Sequence, residues 1–274
     1  MSEAEATVHV TARGYLLGEG VFATMRGYEG VCFRSREHLA TLARGAALFG
    51  LELPVDQAAL ADLADEAATR CGATNAYVRV TLAGGGSGDA VLSILARALD
   101  APSPSAYANG IDVATVSLRR APPECGDPSV KTTSYGREVL MRREALAKGV
   151  DDGVVLAVDG SVACATMANL FVVRGDELLT PEPSTGCRAG VTRGALLELA
   201  RGAGLVARET RISPSALLEA EEVFLANTRV ECLPVARIDG RPTRGRFERT
   251  RALHALLRDA IRTDTAARRR RDAR

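Results

Sequence analysis

At 274 residues and 28.9 kDa the chain is long enough for two modest domains or one large one, and 46% hydrophobic against 25% charged residues supports a packed interior. A net charge of +1 supplies no field that would draw it to nucleic acid or an anionic membrane. With no tryptophan and 4% aromatic residues, the core is expected to consist largely of Ala, Leu and Val.

Residues 20–26 and 30–33 read as two strands around a turn at Tyr28-Glu29-Gly30. Over 36–49, Leu39, Leu42, Ala46 and Ala47 recur at helical spacing, closed by Gly50 and Pro54. A second helix over 57–70 takes Asp56 as its N-cap and lines up Leu60, Leu63 and Ala67 on one face. Residues 76–82 alternate as a strand, 84–88 form a glycine turn, and 91–95 return. These elements predict a small α/β domain over 1–100. Residues 101–110, with Pro102, Pro104 and Asn109-Gly110, read as a linker to a larger domain over 111–274.

That domain opens with a strand over 111–118 and a Pro122-Pro123 loop leading to Lys131. A helix over 136–148 stops at Gly149. Hairpins are expected over 154–165, turning at Asp159-Gly160, and over 170–180, turning at Arg174-Gly175-Asp176. Helices over 191–202 and 216–220, strands over 223–226 and 235–238, and a helix over 247–261 complete it. The run Arg268-Arg269-Arg270-Arg271 reads as a frayed, solvated tail in preference to a nucleic-acid patch.

The acidic start Met1-Ser2-Glu3-Ala4-Glu5 is followed by no apolar run and is not expected to be a secretory signal. Apolar stretches such as 154–158 are far too short to span a bilayer. Cys32, Cys71, Cys125, Cys164, Cys187 and Cys232 are scattered with no CxxC pair, which points to free thiols in the cytoplasm. His9, His38 and His254 have no metal-ligand spacing, so no metal site is expected. The glycine run 84–88 lacks the ending of a P-loop, and Asp89 breaks a nucleophile elbow around Ser87.

Two places can carry chemistry. Lys131 sits between apolar Val130 and the hydroxyl run Thr132-Thr133-Ser134, and it and Lys148 are the only lysines among 35 basic residues. A lysine acts as a Schiff-base nucleophile when burial or a nearby cation keeps part of it neutral. Gly190-Val191-Thr192-Arg193 opens an amphipathic helix whose first N–H groups suit a phosphate. Taken alone, each has an ordinary reading as a solvated charge or a plain helix start.

Their order carries more. The stretch 15–26 (YLLGEGVFATMR), then Arg36-Glu37-His38-Leu39, Ala76-Tyr77-Val78-Arg79, Lys131, Ala168-Asn169-Leu170-Phe171, Leu179-Thr180-Pro181 and Gly190-Val191-Thr192-Arg193 resemble the class IV aminotransferases. These are fold-type IV pyridoxal-phosphate enzymes, comprising branched-chain and D-amino-acid transaminases and aminodeoxychorismate lyase. The resemblance implies an α+β, two-domain chain with a β-barrel-like core in the larger domain, pyridoxal 5'-phosphate as cofactor, and a homodimer. It implies Lys131 as the lysine that binds the cofactor and shuttles the proton. It likewise implies Val191, Thr192 and Thr228 around the phosphate, Tyr135 near the cofactor's phenolic oxygen, and Phe22, Arg26 and Arg79 lining the substrate pocket, with Arg79 suited to a carboxylate.

Two positions depart from the family. Its phosphate-binding arginine falls on Thr41, and its glutamate beside the pyridine nitrogen falls on Cys164. A unit charge about 4 Å from that nitrogen contributes on the order of 4 kcal/mol at an effective dielectric near 20, which a neutral thiol does not supply. Weakened cofactor retention is expected. The leading reading is a pyridoxal-phosphate aminotransferase or lyase acting through a Lys131 Schiff base. A cofactor-independent enzyme using Lys131, Arg79 or Cys164 in the same pocket, and a non-catalytic member, stay open as alternatives.

Overall fold

The computed structural model describes residues 5–86 and 89–272. Ser87 and Gly88 of the expected glycine turn, and the first four residues of the acidic start, lie outside the described residues. The chain divides into two units, residues 1–99 with 130–135, and residues 100–129 with 136–274.

The first unit contains α1 (Arg13–Leu16), β1 (Gly20–Tyr28), β2 (Val31–Cys32), α2 (Ser35–Leu48), α3 (Gln57–Arg70), β3 (Asn75–Gly84) and β4 (Ala90–Ala98). Its strands form an antiparallel sheet in the order β2-β1-β3-β4. Strand alternation sends Val21, Ala23 and Met25 of β1 and Val78, Val80 and Leu82 of β3 into one core with Leu39, Leu42 and Ala46 of α2 and Leu60, Ala64 and Ala68 of α3. Phe22, Thr24, Arg79 and Thr81 are left on the opposite face, with Phe22 paired to Thr81 and Thr24 to Arg79. The β1–β2 turn places Glu29 at φ 50° and Gly30 at φ 88°, the left-handed pair that a tight hairpin needs. Asp56 caps α3 as expected, accepting from the Ala59 N–H at 2.8 Å.

The second unit contains α4 (Pro104–Asn109), β5 (Ile111–Thr115), α5 (Gly136–Ala147), β6 (Asp152–Leu156), β7 (Val162–Ala165), β8 (Asn169–Arg174), β9 (Glu177–Pro181) and α6 (Val191–Leu199). β10 (Val206–Thr210), α7 (Pro214–Leu218), β11 (Glu222–Asn227), β12 (Glu231–Ile238), β13 (Arg241–Pro242) and α8 (Glu248–Asp272) follow. Among the described residues its sheet runs β10-β9-β8-β11-β12-β5-β6-β7, with β13 on β12. The two ends of that order meet where the Val162 N–H donates to the Ile212 carbonyl at 2.8 Å, so the sheet curls toward closure. Val113, Val154, Val162, Leu170, Val172, Val223, Leu225 and Val235 fill its core. This is the α+β class with the barrel-like core that the family resemblance implied.

Several segments differ from their sequence reading. Residues 101–110 hold a helix, because Ser103 accepts from the Ala106 N–H and Pro104 sits in the first turn, where its missing N–H costs nothing. Val130–Tyr135 groups with the first unit, since Val130 packs into the α2–β1 core. β10 carries the polar run Arg208-Glu209-Thr210 and gives little apolar signal; parallel pairing with β9 makes it a strand. The arginine run is not frayed: α8 continues to Asp272. Its buried positions Leu253, Leu257 and Ile261 recur every four residues, and Thr265 extends the series by bonding its hydroxyl to the Ile261 carbonyl.

Candidate active site

Lys131 lies on an extended segment stitched to the start of β1. The Phe22 N–H donates to the Lys131 carbonyl at 2.8 Å and the Thr133 N–H to the Gly20 carbonyl at 2.8 Å. Gly18, at φ 66°, lets this segment approach: a Cβ there would run into the Ser134 side chain, and the Thr133 hydroxyl donates to the Gly18 carbonyl at 2.8 Å.

The Phe22 ring organises the side chains around it. Lys131 Nζ is 5.5 Å from its centroid, the Arg79 guanidinium lies 3.6 Å from the same centroid, and Tyr135 meets it edge-on at 5.4 Å. Arg79 Nε donates to the Thr81 hydroxyl at 3.1 Å. Four of the sequence-expected residues are therefore brought together: Lys131, Tyr135, Phe22 and Arg79. Arg26 lies further along the same face of β1, buried, with Nε and Nη2 donating to the Asn75 side-chain oxygen at 3.1 and 2.7 Å and the guanidinium over Tyr28. On α2, Thr41 returns its hydroxyl to the Glu37 carbonyl at 3.1 Å. His38 keeps a partly exposed edge, yet burial, followed by the charges of Lys131 and Arg34, pushes its pKa down to about 3, so the ring is neutral.

The other expected residues belong to the second unit. Val191 and Thr192 are the first two residues of α6, and their N–H groups precede any intrahelical acceptor. The N-cap is Gly190, with no side-chain cap to occupy those donors. A Cβ on Gly190 would sit 2.5 Å from the Asn169 side-chain oxygen, while Asn169 Nδ2 donates to the Arg188 carbonyl at 2.7 Å. Asn169 thus clamps the loop that enters the helix. Arg193, the third helical residue, is buried, with Nη2 donating to the Pro181 carbonyl at 3.0 Å and pairing with Glu209; its Nε has no hydrogen-bond partner among the described residues. Thr228 lies in the turn between β11 and β12, where the Asn227 side-chain oxygen accepts from Arg229 and Val230.

Cys164 is buried on β7 opposite Val155. Burial pushes its thiol up to about 12, against the opposing pull of the Arg120 and Arg188 guanidiniums. Arg120 is itself nearly buried and spans Glu138 at 2.9 Å and the Gly186 carbonyl at 2.8 Å. At neutral pH the thiol is protonated and carries no charge.

A sequence model of the family described as Amino-transferase class IV matches residues 20–238. The chain belongs to the class IV aminotransferase family. It is 32% identical over 249 residues to a putative branched-chain-amino-acid aminotransferase of Methanocaldococcus jannaschii, covering 88% of this chain and 86% of that one. Identity to the aminodeoxychorismate lyase of Bacillus subtilis is 29% over 250 residues, covering 87% and 84%. Among solved structures, an aminotransferase from Brucella abortus bound to the cofactor PLP superposes with a TM-score of 0.84 at 26% identity, covering 94% of each chain.

Within this class IV framework, four residues gained roles that sequence reasoning did not assign. His38 appeared only as part of a motif, yet it is coupled electrostatically to Lys131. Asn169 carried a signal, being the polar residue at the head of the apolar strand β8. The Arg120–Glu138 pair, separated by 18 positions, gave none.

Proposed function

We propose that this class IV protein is a pyridoxal-phosphate-dependent aminotransferase or lyase acting on an amino compound that bears a carboxylate. The observation that carries the reading is Lys131 Nζ held at the Phe22 ring beside the Arg79 guanidinium. The residues present suit the cofactor in two respects: a lysine amine for its aldehyde, and at α6 a helix entrance whose first N–H groups have no side-chain cap. Lys131 would hold the cofactor covalently, and the N–H groups of Val191 and Thr192 would take its phosphate, with Thr228 a further contact.

When bound, pyridoxal phosphate supplies the electron sink for charge released at the amino-bearing carbon. Lys131, in its neutral form, takes the proton from that carbon onto Nζ and returns it later. Arg79 pairs with the substrate carboxylate and orients the amine toward Lys131. Tyr135, edge-on to Phe22, is assigned to the cofactor's phenolic oxygen. Cys164, in the glutamate's position, offers a neutral thiol where a carboxylate would stabilise a protonated ring nitrogen. The same protonated thiol makes a poor nucleophile, which weakens a cofactor-independent reading built on Cys164.

A homodimer in the cytoplasm completes the reading. It is supported by a cluster of exposed apolar side chains near the N-terminus, Val8, Val10, Tyr15, Leu16 and Leu17, each more than 60% exposed. All six cysteines are free thiols, and no helix among the described residues is long and apolar enough to cross a membrane.

The test is amino-group release from a panel of amino acids in the presence of pyridoxal phosphate. Wild type is expected to turn over a carboxylate-bearing substrate, Lys131→Ala to lose activity, and Arg79→Gln to raise KM at least about tenfold. Turnover unaffected by Lys131→Ala would overturn the assignment.

A further inference from the structure

We propose that Thr81 is a positioning residue for the substrate carboxylate: it ties up the inner edge of Arg79, so that two parallel hydrogen bonds to a carboxylate form only at the outer end of the guanidinium. This rests on the assignment of Arg79 as the carboxylate-binding residue.

The arrangement follows from strand geometry. Arg79 and Thr81 lie two residues apart on β3 and therefore share its outward face. On β1, Phe22 is directly opposite Thr81 and Thr24 directly opposite Arg79, so Phe22 is the diagonal neighbour of the arginine. The guanidinium reaches along that diagonal to lie 3.6 Å from the Phe22 centroid, while its Nε donates to the Thr81 hydroxyl at 3.1 Å. The ring backs the group on one side, and the hydroxyl fixes which way its ends point.

Both supports are themselves held. Threonine is branched at Cβ, which restricts the direction of its hydroxyl. The Phe22 ring is met edge-on by Tyr135 at 5.4 Å, and the Phe22 N–H donates to the Lys131 carbonyl at 2.8 Å.

A guanidinium offers a carboxylate two bidentate edges: its two terminal nitrogens together, or Nε with the adjacent terminal nitrogen. Thr81 occupies Nε, which leaves the second edge one donor short. Among the described residues no further hydrogen bond or ion pair occupies Nη1 or Nη2. The terminal pair is therefore the edge open to two parallel bonds. Without the hydroxyl, both edges compete and the long stem regains rotamer freedom. Where the carboxylate docks decides where the substrate's amine is placed, so Thr81 acts on orientation through Arg79.

The test is binding of pentanoate, a carboxylate with no amine to react, to the full-length protein. Its carboxyl group is labelled with carbon-13 and followed by NMR line broadening. Wild type is expected to bind it and Arg79→Gln to bind it at least about tenfold more weakly. Thr81→Val keeps the shape and removes the hydroxyl; it should weaken binding about fivefold, the loss of one hydrogen bond. Thr81→Ser restores the acceptor and should return binding to within about twofold of wild type. In an Arg79→Gln background, Thr81→Val should change nothing further, because its effect passes through the arginine. A merely structural role for Thr81 would give neither the serine rescue nor that silence.

Thr81→Val binding pentanoate as wild type does, or Thr81→Ser binding as weakly as Thr81→Val, would overturn the proposal and leave the Arg79 assignment standing. Equal binding by wild type and Arg79→Gln would remove that assignment and the role of Thr81 with it. Should Thr81→Val not fold, Thr81→Ala is read by the same criteria.

Discussion

Burial moves the side chains of Cys164 and His38 away from charge, each with a measurable consequence. Cys164 is pushed up to about 12, so the folded thiol stays protonated where an exposed one ionises. At pH 8, iodoacetamide is expected to alkylate exposed Cys125 in the folded protein and to reach Cys164 only after unfolding, as read by peptide mass spectrometry. Rapid native labelling of Cys164 would contradict its burial. His38 behaves in the opposite sense. Its folded pKa of about 3 lies below the unfolded value near 6.5, so between those pH values the unfolded chain binds a proton that the folded ring refuses. Stability therefore falls as pH drops below about 6.5. His38 keeps some exposure, which trims the effect to about 1–2 kcal/mol by pH 5. Urea midpoints at pH 7 and pH 5 should drop more for wild type than for His38→Gln; equal drops would mean the ring is freely protonated. Neither shift was visible in sequence, because each depends on what packs around the side chain. Thr41 and Cys164 were legible as departures from the family, but their surroundings were not.

Among the elements, the entrance to α6 carries the most function per residue. Gly190→Ala forces a Cβ against the Asn169 oxygen at 2.5 Å and disturbs the bond from Asn169 to the Arg188 carbonyl. A destabilisation of about 1–3 kcal/mol and weaker uptake of pyridoxal phosphate are expected, measured by urea unfolding and by absorbance titration. Gly194→Ala is the control: with open space around a Cβ in mid-helix, it should be neutral or stabilise by up to about 1 kcal/mol. Equal effects at the two glycines would contradict the clamp. The bounds and cap of α3 behind Asp56 were readable, but its buried face is Leu60, Ala61, Ala64 and Ala68, and Leu63, expected on it, is exposed. β10 was not, since its strand state comes from pairing with β9, and α8 was cut short because its buried series ends on Thr265, a polar residue that satisfies itself.

For the molecule as a whole, the collinear order of motifs pointed to the family before any coordinate did, and the sheet that curls from β10 back to β7 agrees with it. What sequence order concealed was the placement of the lysine. Lys131 lies far along the chain from Phe22 and Arg79, and the backbone bonds between its segment and β1, with the Thr133 hydroxyl on Gly18 and Val130 in the core, set them together. The proposed chemistry stands or falls on that lysine. Incubation of the purified full chain with pyridoxal phosphate, reduction with borohydride and peptide mass mapping reads it directly. A visible band that borohydride bleaches, with the added mass on Lys131 and not on Lys148, is the result expected. A colourless protein with Lys131 unmodified, or mass found equally on both lysines, would contradict the assignment of Lys131 as the cofactor-binding lysine.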